Sequence, residues 1–179
     1  MTSVPSHITP LRLVQPAEID LARAMPLLTD NAEAWLGTPV PAGRPGFQRF
    51  LTDLSLPIRG RTPSLVFKKA AFVDLGEVRE TPGRFEMEIG WQSSSLAPLF
   101  PVFSGHLVLT PTEMRLEGFY APPGGEIGAA LDKAFLGIAA RGTARWFLER
   151  TTEVVATAAV LADQSGSTAR PARGTSTAG

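Results

Sequence analysis

The chain holds two histidines, His7 and His106, and no cysteine. Thiolate nucleophiles, disulfides and thiolate metal sites are therefore excluded. His7 stands in a polar leader, so two imidazoles are not expected to converge on a metal, and no metal site is assigned. His106 follows Val102-Phe103-Ser104-Gly105, a run without the glycine that precedes the serine of a nucleophile elbow. A single histidine there reads as solvated or hydrogen-bonded before it reads as a general base. Glu86 and Glu88 share one strand face, but it is the polar face, which favours solvation over acid–base work. Gly124-Gly125-Glu126-Ile127-Gly128 sits between a strand and a helix, where phosphates bind, yet misses the G-x-G-x-x-G spacing, and no G-x-x-x-x-G-K-[ST] occurs. Arg59, Arg61, Lys68 and Lys69 cluster with little aromatic interleaving, so no nucleic-acid partner is expected. The only tyrosine, Tyr120, would anchor a ligand polar group if buried, although a backbone carbonyl is the commoner partner. Arg145 either flanks a pocket mouth or pairs at i,i+4 with Glu149. No catalytic residue and no cofactor is assigned.

The 179 residues suit one domain with one core. Lys and Arg number 17 and Asp and Glu 17, so no overall field selects a polyanionic or polycationic partner. MTSVPSHITP lacks the basic cluster and apolar block of a secretory signal. No apolar run reaches the roughly 20 residues of a spanning helix, so no integral membrane association is expected. The expected location is the cytoplasm.

These residues must be positioned by a sheet and one long helix. Residues 1–46 read as a leader with short helices. Leu11-Arg12-Leu13-Val14 forms a short strand, and a helix starts at Pro16 with Glu18 and Asp20 in its first turn and stops at Pro26. A second helix runs from Asp30 as N-cap to Gly37, and Thr38 to Gly46 is a loop. Residues 47–121 turn to period two. Strands are expected over Phe50–Leu56, Leu65–Leu75 and Arg84–Trp91, the last with Phe85, Met87, Ile89 and Trp91 on one side. A hairpin follows, with Leu107 and Leu109, then Met114, Leu116, Gly118 and Tyr120, facing the core around Pro111-Thr112-Glu113. Pro122-Pro123 ends the ladder, and residues 124–162 form the C-terminal helix, weaker after Arg150 where Thr151, Thr152, Val154 and Val155 are β-branched. Its inward face is read as Ile127, Leu131, Phe135, Ile138, Gly142 and Trp146, with Leu136, Ala140, Thr143 and Phe147 on the far side. Residues 163–179 read as a disordered tail. Strands in succession before one long helix give an α+β fold.

A twisted antiparallel sheet curled on this helix meets a slender partner. Gly137 and Gly142 each cost roughly 1 kcal/mol of helix propensity relative to alanine. Either the small residues allow close approach to the sheet, or a lined pocket remains between them.

Trp91, Leu99-Phe100-Pro101, the Leu107 and Leu109 strand, Leu116-x-Gly118-x-Tyr120-x-Pro122-Pro123-Gly124, Gly128-x-x-Leu131-Asp132 and Ala139-Ala140-x-x-Thr143 follow one another in order. Over Leu65 to Arg150 this series resembles the SRPBCC superfamily, the START-like or helix-grip proteins, of the actinobacterial type. The resemblance implies a curved antiparallel sheet wrapped around the C-terminal helix, two short helices closing a hydrophobic cavity, and binding of a lipid-, quinone- or polyketide-like molecule. No position matches a catalytic motif of that superfamily. The wall candidates are Trp91, Leu107, Leu116, Tyr120, Phe135, Ile138, Gly142 and Trp146. The expected function is binding of a hydrophobic or amphipathic small molecule without catalysis. The alternatives are a polyketide cyclase- or dehydratase-like enzyme using Tyr120, His106 or Arg145, and an interaction module, homodimeric or otherwise, that uses the helix stripe Leu136, Ala140 and Phe147.

Overall fold

The computed structural model describes residues 8–58, 65–95, 102–121 and 133–167. In chain order these form β1 (Thr9–Pro16), α1 (Leu21–Thr29), α2 (Glu33–Leu36), β2 (Thr38–Val40), β3 (Gln48–Ile58), β4 (Leu65–Thr81), β5 (Arg84–Ser93), β6 (Val102–Thr110), β7 (Glu113–Ala121) and α3 (Lys133–Ser167). The strands make one antiparallel seven-stranded sheet in the order β1-β7-β6-β5-β4-β3-β2. Apart from β1 and β2 at the edges, chain neighbours are sheet neighbours, as short turns require. The architecture is α+β.

Alternation along each strand sends one set of side chains to the core. Phe50, Val73, Trp91, Phe103 and Tyr120 stand side by side across five strands. Behind them run Leu75, Ile89, Gly105, Gly118 and Leu11, and then Met87, Leu107, Leu116 and Leu13. All but Leu13 and the two glycines in these rows belong to the buried hydrophobic core. Gly105 and Gly118 face each other where a Cβ on either would collide with the backbone opposite, so only glycine permits this strand spacing.

The outer face carries paired charges, some within one strand and some between neighbours. Arg84 Nη2 donates to Glu86 Oε2 at 2.6 Å, and Arg115 lies 3.0 Å from Glu113 and 3.1 Å from Glu117. Arg49 grips Asp74 through two hydrogen bonds of 2.6 and 2.8 Å.

Before the sheet the chain departs from its sequence reading. Ala17 and Ile19 donate their N–H groups to the Thr112 and Pro111 carbonyls. Pinned to the β6–β7 turn, residues 17–19 are not helical, and α1 begins at Leu21 rather than near Pro16. Asp20 is its N-cap, accepting from Ala22 N at 3.1 Å and Arg23 N at 3.4 Å. Pro26 lies inside α1 instead of ending it, and its carbonyl accepts from Asp30 N. Asp30 closes α1 and does not cap α2, whose N-cap is Ala32. Part of the expected loop is strand: Thr38, Pro39 and Val40 pair with Leu51, Phe50 and Arg49. An edge strand tolerates Pro39 because one of its sides needs no donors. β4 outruns its expected end at Leu75, continuing to Thr81 past a register shift between Leu75 and Val78.

α3 packs on β3, β1 and β7. It extends to Ser167, beyond the end expected at 162. Burial of Thr151 and Val155 offsets their poor helix propensity. Its face is also rotated. Ala140, Thr143, Ala144, Phe147, Leu148, Thr151 and Val155 are buried, whereas Ile138 is 58% exposed, and Gly142 and Trp146 are only partly buried. Apolar residues ring this helix, so its periodicity selects no side. The sheet takes the stripe whose alanines permit close approach and whose Phe147 meets two tryptophans.

Pro122–Asp132, Leu99–Pro101, Arg59, Arg61, His7 and residues 168–179 lie outside the described residues, so the readings made there stand as expectations.

Candidate functional site

Described residues line three notable concavities, among others. The first lies at the seam between the two layers, where β2 has ended and leaves one side of β3 to the helices. Glu33, Ala34, Trp35, Leu36 and Gly37 from α2 and its C-cap, Thr52, Asp53 and Ser55 from β3, Lys68 from β4, and Trp146, Arg150 and Glu153 from α3 border an open groove of about 570 Å³. Local structure fixes these walls. The Thr52 hydroxyl donates to the Leu36 carbonyl and ties α2 to β3. Gly37 takes φ 108° at the α2 C-cap, with its Cα against the Leu51 carbonyl, where a side chain would be both strained and obstructed. Indole surfaces of Trp35 and Trp146 supply apolar area. Lys68, Arg150 and Glu153 supply a charged rim, in which Arg150 and Glu153 pair at 3.6 Å.

Inward of Trp35 the surroundings are aromatic. The Phe147 ring lies 5.9 Å from the Trp35 ring and 5.3 Å from that of Trp91, and Trp91 stacks on Phe103 at 4.3 Å. Trp35 Nε1, Trp91 Nε1 and Thr143 Oγ1 are buried there without a hydrogen-bond partner.

The second concavity, about 210 Å³, is on the outer sheet face around Arg44, Phe47, Arg49, Asp74 and Glu88. Its cations are already engaged: Arg49 by Asp74, and Arg44 by the Phe47 ring at 4.2 Å. The Asp74 carboxylate, by hydrogen bonding, holds the Arg49 pKa above its ordinary value. The third, about 550 Å³, separates α1 from the β4–β5 turn at Pro82-Gly83. Of these three, the seam is the one that joins sheet, short helix and α3.

The sequence-derived candidates divide. Trp91, Leu107, Leu116 and Tyr120 are buried on the inner sheet face. Tyr120 reaches α3, its hydroxyl 3.2 Å from where a Cβ of Gly137 would stand, so at Gly137 the small residue permits close approach. Trp146 reaches the seam, Gly142 is half-buried, and Phe135 is described only as a position in α3. Ile138 points away from the interior. His106 stands on the outer face with its Nε2 3.9 Å from Glu86 Oε1, and Arg145 and Glu149 are both exposed. Ala140 and Phe147, read as an outer stripe, are core residues. Sequence reasoning missed Trp35 and Thr143. Trp35 was legible as the large apolar residue of a short helix, and Thr143 as a polar residue in an apolar stripe.

The outer cluster is electrostatic and not catalytic in character. Arg84, through its hydrogen bond, pulls the Glu86 carboxyl below its ordinary value, against an opposing effect of burial. Among the described residues no group of three His, Cys, Asp or Glu side chains is arranged to hold a metal, and no helix is long and apolar enough to cross a membrane.

No family model and no curated protein matches the sequence. Among solved structures the chain is similar to a conserved protein from Geobacillus kaustophilus, with 15% identity and a TM-score of 0.50, over 83% of this chain and 96% of that one. At that identity the likeness speaks for the fold alone.

Proposed function

We propose that this protein binds a hydrophobic or amphipathic small molecule between its sheet and α3, without transforming it, with the sheet wrapping the helix in the START-like manner. The observation that carries this reading is the seam groove of about 570 Å³, flanked by Trp35 and Trp146. Its size falls in the range that holds ligands of a few hundred daltons, and its indoles and charged rim suit a molecule with an apolar body and a more polar end. β1, α1 and α2 stand in the order that a helix-grip protein places before its main sheet, which supports kinship with the SRPBCC superfamily. Of the residues in this reading Trp146 lines the groove, with Trp35 added, while Trp91, Leu107, Leu116 and Tyr120 belong to the buried core of the inner sheet face. The cyclase-like alternative draws no support from His106 or Arg145, which lie on outer surfaces. A cysteine-free chain is in keeping with action in the cytoplasm.

Native mass spectrometry of the gently purified protein tests the reading. The expected result is a mass excess that disappears on denaturation, together with saturable binding of fluorescent fatty-acid or quinone analogues that weakens in Trp146→Ala. A ligand-free mass with no binding of those analogues would remove it.

A further inference from the structure

One place in the interior holds hydrogen-bonding capacity that the fold does not use. Thr29, Thr151, Thr152 and Thr157, all in helices, donate their hydroxyls to the carbonyls of Met25, Phe147, Leu148 and Glu153, four residues back. Thr143 is the exception among the described helical threonines. It is fully buried, and its hydroxyl has no partner. One turn along the same stripe lies Phe147, at the i,i+4 spacing that makes helix side chains neighbours. The indoles of Trp91 and Trp35 both pack on Phe147, 2% and 9% exposed, and their Nε1 atoms are also unpartnered. Two unpartnered indoles thus flank one phenyl ring, and an unpartnered hydroxyl stands one helical turn before it on the same buried stripe.

An indole N–H can only donate, and a hydroxyl can donate or accept. Two donors and a hydroxyl in an apolar surround are matched by an acceptor. Leaving them unmatched penalises the free protein, and the penalty is relieved when the acceptor arrives. The acceptor should be uncharged. The buried polar side chains among the described residues are Ser55, Thr143 and Thr151, with no Lys, Arg or His among them. A carboxylate taken there would be desolvated with no counter-charge. Its proper place is the rim of the seam, beside Lys68 and Arg150.

We propose, on the basis of the binding function above, that the ligand carries a neutral carbonyl oxygen and that Trp91 Nε1 and Thr143 Oγ1 receive it, with Trp35 Nε1 on the seam side. The site thereby selects ketones and esters over hydrocarbons of the same shape, and over fatty acids.

The test uses the full ¹⁵N-labelled chain titrated with benzophenone, with diphenylmethane, which has nearly the same outline but no carbonyl, and with palmitate. The indole N–H signals of Trp35, Trp91 and Trp146 are assigned by single Trp→Phe variants. Benzophenone should move the Trp91 indole proton downfield and bind about tenfold tighter than diphenylmethane, one hydrogen bond's worth of preference. That preference should shrink to about twofold or less in Thr143→Val and in Trp91→Phe. Thr143→Val should melt at or above the wild-type temperature, because it removes an unmatched hydroxyl, and so it decides the matter even if Trp91→Phe folds poorly. Equal binding of the two aryl probes, a preference that survives Thr143→Val, or a palmitate affinity that depends on Thr143 would overturn the carbonyl assignment and leave the binding function standing. Failure of all three probes to bind would overturn both.

Discussion

Gly105 and Gly118 set how closely β6 and β7 approach, and they show how a single residue constrains the sheet against which the core packs. A methyl group on Gly118 would strike Ser104 and Gly105 backbone atoms, neither of which can yield without parting the strands. Gly118→Ala should destabilise the protein by about 1–3 kcal/mol in urea unfolding, the usual range for overpacking. On the outer face, Glu86 makes a prediction about pH. Its carboxyl is held below the ordinary value of 4.5 chiefly by the hydrogen bond from Arg84. The unfolded chain therefore takes up the proton first as pH falls. The stabilisation is complete above about 4.5 and is lost as pH descends through the lower folded value. Glu86→Gln should be less stable than wild type at neutral pH, with the difference closing in acid, as read from unfolding midpoints across a pH series. At this scale the sequence showed which residues faced inward on β5 and the β6–β7 hairpin, because polar and apolar residues alternate throughout β5 and over most of the hairpin, where Val102, Val108 and Phe119 are the apolar residues on the outer side. It did not show Arg49 with Asp74, 25 positions apart, since such pairing depends on a register that no local pattern contains.

All the described strands but β2 were legible as elements because period two coincides with burial on one face; β2, three residues long, is too short to show a period. The first helix was not, because the bonds that delay its start run from Ala17 and Ile19 to residues more than ninety positions away. Asp20 takes over as the cap, and Asp20→Ala should cost about 1 kcal/mol, measurable as a lowered unfolding midpoint. α3 shows the limit of a helical wheel. Its presence was readable and its end was placed at 162 where the helix runs to Ser167, but its orientation was not readable, because Ile138 and Trp146 on one side are as apolar as Ala144 and Phe147 on the other. Phe147 is where the choice becomes consequential, since it joins α3 to both α2 and β5 through Trp35 and Trp91. Phe147→Ala should cost about 3–5 kcal/mol, the range for deleting a buried phenyl group. The corresponding change at exposed Ile138 should cost far less in the same unfolding experiment.

For the whole molecule, one seven-stranded sheet has a short strand at one edge, and a 35-residue helix lies where that strand stops short. The seam follows from this arrangement: β2 pairs with only three residues of β3, leaving the rest of that edge to α2 and α3. Of the seam's lining only Trp146 was among the residues picked from the chain; Trp91, Leu107, Leu116 and Tyr120 were readable as inward-facing positions, and they pack into the core. The part contributed by α2 and by the true face of α3 depends on packing between segments more than a hundred residues apart. Hydrogen exchange of the full chain, with and without saturating palmitate or benzophenone, tests the central claim most directly. A ligand at the seam should slow exchange in 33–37, 52–55 and 143–153 and leave the outer concavity around Arg44 and Asp74 unchanged. Slowing confined to that outer concavity, or no slowing under saturation, would contradict it.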